Sequence, residues 1–520
     1  MKKQHIIFSI AIYFVYSTIA IAQPVFQKHF SDLTEYQKLS NSPFDNSYIM
    51  ASSIRDIDGL FDFCVVKMDL TGNIIWNKKF PSSNDDYLSS LYVTPSGDIF
   101  LAGHKLDGNG DFNFSVMKIN SAGSMQWYKT YGTTGLDMFP TIQAATNGDF
   151  FICGNRNGSA IPLIIKINSA GTILWNKTFG LTLVGNETTV LASNSTSDGG
   201  LVIFGEYKQQ NYLRKINMDG TVAWTNYSNG ASQYDYMGSI KQTSDGGYIL
   251  IGRTPHCNPS VCTYNLAFTK FDNLGHISWS ESIDYKYTSE GKDVIETSDS
   301  CFVFTGQLTD PSTSISKLVL IKVNNKGKHL FSKTYGDVDS NGEYANIEQV
   351  SDGGFLLLGM ENSNAYLIKT DAFGNANCNN QAINFVLVNI GKPTSSSITI
   401  PLINDVVKDN TPICIEETMT VTDKLLCISS SINHVFSSQF NYILYPNPFN
   451  DILTLEMPNY NSLRNHFEFN LYDMLGRKVI QVPMINHKTV IQRGNLPRGI
   501  YFYDIIDDEK IIGQGKVIAE

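Results

Sequence analysis

The side chains of this chain best spaced for chemistry are Asp337, Asp339 and Asn341, followed by Gly342 and by Glu348 at the twelfth position. Oxygen ligands at these intervals around a glycine turn form the loop that wraps Ca²⁺ between two helices. The flanks here read as strands, Phe331 to Tyr335 before the loop and Ile347 to Val350 after it. The expectation is therefore no metal, with Asp337, Asp339, Asn341 and Glu348 as the calcium candidates. Asp107, Asn109 and Asp111 repeat the spacing but lack glycine at the sixth position. His256, Cys257 and Cys262 supply three of the four ligands a structural zinc site needs, so a loop-stapling disulfide between Cys257 and Cys262 is the expected use.

Acids recur where the chain enters the first strand of a repeat, at Asp86, Asp137, Glu187, Asp235 and Glu343. They can gather at one mouth of a ring, where an acidic funnel would bind cations or sugars, or they can simply aid solubility. The nine histidines are scattered without ligand spacing. The chain has neither a Gly-x-Ser-x-Gly elbow nor a phosphate-binding glycine loop, so no catalytic residue and no cofactor are expected. A net charge of −10 with a pI near 5.4 offers no basic stripe, which argues against nucleic acid as a partner.

The elements that must carry these residues come from a repeat. All five tryptophans stand in one slot of Lys-x-[Asn/Asp]-x-x-Gly-x-x-x-Trp, at Trp76, Trp127, Trp175, Trp224 and Trp279. Phe331 fills the slot in the sixth copy and Cys378 in the seventh. Successive lysines, from Lys67 to Lys369, are 51, 48, 49, 55, 52 and 47 residues apart. Asn or Asp followed three residues later by Gly is turn chemistry, so each copy closes a hairpin. A second turn, clearest as Asp198-Gly199-Gly200, Asp245-Gly246-Gly247 and Asp352-Gly353-Gly354, opens a short run that is apolar throughout and so reads as a strand buried on both faces.

Four short strands in about 50 residues, seven times over, predict an all-β chain with a seven-bladed β-propeller of four-stranded blades over 23–375. The aromatic slot (Trp76 to Trp279, and Phe331) is then blade core, wedging one blade against the next. The seventh copy breaks off after Gly374, while Phe26-Gln27-Lys28-His29-Phe30 mimics Trp175-Asn176-Lys177-Thr178-Phe179, so the N-terminus is expected to complete the last blade. The layout resembles the kelch and quinoprotein-like propellers, and the motif resembles their secreted bacterial relatives with Asp-Gly-Gly repeats.

Lys2 and Lys3, an apolar run of about 15 residues and Ala20-Ile21-Ala22 make 1–22 a secretory signal, shorter than the roughly 20 apolar residues of a spanning helix. No integral membrane segment is expected after its removal. Residues 376–441 read as a β-rich spacer in which Cys378, Cys414 and Cys427 leave any disulfide pairing open. Residues 442–520 carry Tyr445-Pro446-Asn447-Pro448-Phe449-Asn450, then Leu471 to Val479 around Leu475-Gly476-Arg477, then Leu496 to Tyr501 with Gly499, and Lys516-Val517-Ile518. This end resembles the type A C-terminal sorting domain of the type IX secretion system of Bacteroidota, which implies a small β-sandwich, the type IX machinery as a partner, and a destination outside the cell or on the outer-membrane surface. The favoured function is a non-catalytic module that binds a glycan or a surface protein. The alternatives are a propeller enzyme, either a polysaccharide hydrolase or lyase or a quinone-cofactor dehydrogenase, and a structural component of the cell envelope.

Overall fold

A computed structural model describes residues 24–519 apart from scattered positions and the longer stretches 179–187, 229–235, 339–344, 390–394, 397–407, 411–418, 430–442 and 458–466. The chain divides into two compact units, 1–428 and 429–520, and all regular structure among the described residues is β. In the first unit, six antiparallel four-stranded sheets follow one another over 35–80, 86–132, 138–178, 188–228, 236–284 and 288–338. A seventh is assembled from 346–369 and Val25–Phe30.

The apolar second strands dictate how these sheets meet. A run such as Tyr248-Ile249-Leu250-Ile251 is buried on both faces, and only a neighbouring sheet on each side can do that. Seven apolar clusters fill the seams, each shared by consecutive sheets. One of them joins the last sheet to the first, setting Phe26, Leu356 and Leu358 against Tyr48, Met50 and Val66. The first strands touch in the same sequence, and Asn346–Gln349 touches Glu35–Asn41, which returns the circuit to its start. There Asn41 Nδ2 donates to the Gln349 carbonyl at 3.1 Å.

The repeat motif builds each hairpin from the same parts and sets one aromatic side chain across each seam. The Gly72 amide donates to Asp69 O at 3.0 Å, and Gly72 adopts φ +74°, which glycine tolerates and other residues rarely do. The repeat lysine points back to the aspartate of its own sheet's second turn. All seven pairs form, from Lys67–Asp45 at 2.6 Å to Lys369–Asp352 at 2.8 Å, and none is longer than 3.1 Å. The tryptophan opposite that lysine reaches across to the next sheet. Trp76, Trp127, Trp175 and Trp279 donate their indole N–H to turn carbonyls there at 3.2–3.3 Å. The tryptophans are half-buried and cover the turn glycine of the next sheet, rather than lying deep in the seam.

Val25–Phe30 pairs with Asn364–Lys369 so that Phe26 stands opposite Lys369, as Trp76 stands opposite Lys67. Phe26 also covers Gly72 of the first sheet, as Trp76 covers Gly123 of the second. The chain's start therefore supplies the last sheet's outer strand, as the Phe26–Phe30 sequence mimicry implies.

The described strands between Asn380 and Ser429 join the outer edges of the sheets in reverse order. Asn380–Ala382 adds to the sixth sheet, Val386–Asn389 to the fifth, Ser395–Ser396 to the fourth and Lys408–Asn410 to the second. The Met419 amide then donates to Asn77 Oδ1 of the first sheet at 3.1 Å, and Asp423–Ser429 lies beside Val25–Phe30 of the seventh. A strand edge presents unpaired amides and carbonyls that invite aggregation, and these strands cover the outer edges of the second, fourth, fifth, sixth and seventh sheets.

In the second unit, Ile443–Tyr445, Ile452–Glu456 and Lys488–Gln492 form one sheet. Phe467–Tyr472, Lys478–Pro483, Gly499–Asp507 and Lys510–Ala519 form another. The two share a core that includes Leu453, Leu455, Phe469, Leu471, Ile491 and Ile505.

Candidate functional site

The first strands of all seven sheets line a cavity of about 430 Å³. Strand register identifies one level of it. Lys241 pairs with Ile249 and Glu348 with Leu356, the second residues of their sheets' second strands. The same register holds Ser40, Tyr92, Gln143, Asn194 and Ile295 in the other five sheets. All of these except Ile295 line the cavity, and no two of the seven are alike. The wall is dominated by hydroxyls and amides, many of which tie neighbouring sheets together. Ser90 Oγ accepts from the Ile142 amide at 3.1 Å, Asn194 Oδ1 from the Gln242 amide at 3.0 Å, and Thr141 and Ser193 share a 2.6 Å hydrogen bond.

Five charged side chains also line it: Lys38, Lys241, Lys292, Asp293 and Glu348. Lys292 is bound to Glu290 at 2.9 Å. Asp293 has one oxygen on the Val294 amide at 2.9 Å and the other on the Ile347 amide at 3.2 Å. Lys38 is likewise engaged. Glu348 and Lys241 differ, since neither makes a hydrogen bond or ion pair with any described residue. Burial pushes the Glu348 carboxyl up to about 7, with the Lys241 charge opposing the rise and Asp293 adding to it. The wall also holds the buried amide oxygens of Gln143 and Asn346, which have no hydrogen-bond partner among the described residues. What such a wall offers a ligand is many hydrogen bonds, one ammonium and one carboxylate.

Of the calcium candidates, Glu348 faces this cavity, Asp337 lies in the strand His329–Val338, and Asp339 and Asn341 fall outside the described residues. Asp86 and Asp137 do not open onto a mouth. Both are buried, Asp86 between Lys105 at 3.1 Å and Ser82 at 2.6 Å, and Asp137 accepting from the Thr133 amide at 2.6 Å. Glu187, Asp235 and Glu343 lie outside the described residues. Cys64 and Cys153 are free and buried, Cys301 is free and only half-buried although its strand-like run is apolar, and Cys257 stands opposite Cys262 in the hairpin register.

Reading residues singly missed Lys241 and its level. The missing signal was a column: the residue four places before the Asp, Asn or Ser that opens the second turn is Tyr92, Gln143, Asn194, Lys241, Ile295 and Glu348 in repeats two to seven.

In the second unit, the Tyr445 hydroxyl donates to Glu456 at 2.6 Å, and Lys488 lies 5.4 Å from the Tyr445 ring centre. Tyr501 is buried and donates to the Pro497 carbonyl at 2.8 Å, Gly499 opens its strand, and Lys516 is exposed on the last one. Pro446 and Pro448 lie between the first two strands, while Asn447, Leu475 and Gly476 fall outside the described residues.

Residues 443–520 match the family described as the secretion system C-terminal sorting domain, the address read by type IX secretion. The protein is exported, either secreted or attached at the outer-membrane surface, and the type IX machinery is its partner in that step. No curated protein matches the chain. Among solved structures, the polysaccharide lyase Uly1 aligns with TM-score 0.42 and 12% identity over 66% of this chain and 90% of its own. A protein from Lactobacillus plantarum aligns with TM-score 0.41 and 10% identity over 73% and 99%. Drosophila Plexin A, solved with Semaphorin 1b, gives 0.40 and 7% over 67% and 87%. Likeness at this level transfers no activity to the present chain. Among the described residues no helix is long and apolar enough to cross a membrane.

Proposed function

We propose that the exported chain is a closed seven-bladed β-propeller whose central cavity binds a carbohydrate without cleaving it. The observation that carries this reading is the single level at which Ser40, Tyr92, Gln143, Asn194, Lys241 and Glu348 converge on one polar cavity. Sugars are recognised by dense hydrogen bonding to fixed amides, hydroxyls and charged groups, and about 430 Å³ is in the size range of small-ligand pockets. The contact circuit of first strands and the seam from the seventh sheet to the first support closure.

Binding is favoured over cleavage by the state of the carboxylates. Glycosidic hydrolysis uses two acids in separate roles. Here both oxygens of Asp293 already accept backbone amides, which leaves Glu348 as the one described cavity carboxylate free to face a substrate. Export also places Cys257 and Cys262 where disulfides persist. Directly opposed residues of an antiparallel pair are about 4.5–5.5 Å apart at Cα, within disulfide reach, and we propose that these two are joined.

The test is a glycan array with the purified mature protein, followed by calorimetry and a reducing-end assay on each hit. Saturable glycan binding without new reducing ends is expected. Turnover of a bound polysaccharide, or binding confined to a surface protein, would overturn the reading.

A further inference from the structure

We propose that the cavity selects sugar acids, that is, pyranoses bearing a carboxylate, with Lys241 holding the carboxylate and Glu348 accepting from ring hydroxyls. This rests on the carbohydrate-binding reading and narrows it. Most charged groups of the wall are already committed: Lys292 to Glu290 at 2.9 Å, and Asp293 to two backbone amides. Lys241 and Glu348 stand half-buried at one level, on the first strands of the fifth and seventh sheets, with no hydrogen bond or ion pair to any described residue.

A half-buried ammonium and a half-buried carboxylate without hydrogen-bonding partners among the described residues leave donors and acceptors for a ligand to satisfy. An ammonium asks for an anion, which a neutral sugar lacks. A carboxylate asks for donors, which the hydroxyls of a pyranose provide in a cluster. Around the rest of the level, Ser40, Tyr92, Gln143 and Asn194 are neutral, suiting the uncharged face of the ring. A sugar acid presents one anionic edge and several hydroxyls, and so matches both sides of this level.

Calorimetry on the mature protein would compare galacturonate and glucuronate oligosaccharides with galactose and glucose oligosaccharides, and with free glutamate as an acid without a sugar. The uronates are expected to bind at least about tenfold more tightly than the neutral sugars, as a charge-assisted hydrogen bond would give. Lys241→Gln should abolish that preference while leaving the melting temperature unchanged, and Glu348→Gln should weaken uronates and neutral sugars alike. Equal affinity for uronates and neutral sugars, binding of glutamate in their place, or an intact preference in Lys241→Gln would each overturn the assignment. Failure to bind any sugar would overturn the carbohydrate-binding reading itself.

Discussion

In every repeat the lysine meets an aspartate of its own sheet's second turn, and at every seam the aromatic slot covers the turn glycine of the next sheet. At one level of the cavity, the equivalent position holds seven different residues. The seams must be alike because every sheet meets a neighbour of the same shape, and one solution serves all of them. The cavity faces inward once, so its wall is free to be asymmetric, and a ligand with distinct ends is what an asymmetric wall recognises. In this molecule the repeated positions hold the fold, and the position that refuses to repeat is where binding is to be sought.

That contrast can be broken by perturbing each side. The largest effect is expected from removing residues 24–31, which takes the outer strand from the seventh sheet together with the buried Phe26 and Phe30. Losing two buried aromatic side chains alone costs about 6–10 kcal/mol, so cooperative thermal unfolding should vanish from circular dichroism.

Next is Asp352→Ala, which leaves the fully buried Lys369 ammonium unpaired and should cost about 3–5 kcal/mol in chemical denaturation. Asp98→Ala, at the more exposed Lys118 pair, should cost at most about 1 kcal/mol. Equal costs would mean that burial does not grade these fasteners.

Glu348 gives a smaller effect with a defined sign. Its folded value of about 7 lies above its ordinary value of 4.5, so the folded state favours the protonated form. Its contribution is fully present below pH 4.5 and is lost as pH rises through about 7. Glu348→Gln should therefore flatten the fall in stability across that window and leave the variant roughly 1–3 kcal/mol more stable than the parent at pH 8. Melting curves from pH 4 to 8 would check this. The smallest effect on stability belongs to Lys241→Gln, within about 0.5 kcal/mol, because that side chain bonds to no described residue.

What the sequence made legible follows the same division. Turn glycines and tryptophans at fixed offsets specified the hairpins, and the likeness of Phe26–Phe30 to Trp175–Phe179 specified where the N-terminus goes. The lysine–aspartate pairs were hard to read from the sequence, because the aspartate opens the turn in some sheets, as at Asp198, and ends it in others, as at Asp98 and Asp149, and only the fold shows that each meets its lysine. Asp86 and Asp137 misled because an acid near a loop reads as solvated, whereas Lys105, Ser82 and Thr133 satisfy them internally. The edge strands of 380–429 were hidden for a different reason. Strands as short as Ser395–Ser396 carry no periodicity of their own, and their register is set by the sheet edge they join.

A crystal structure of the mature protein with a hexuronate oligosaccharide at saturating concentration would decide whether Lys241 and Glu348 form a sugar-acid site. The sugar is expected in the cavity with its carboxylate within hydrogen-bonding distance of Lys241 Nζ and its hydroxyls against Glu348. An empty cavity with the sugar bound elsewhere on the molecule would contradict it.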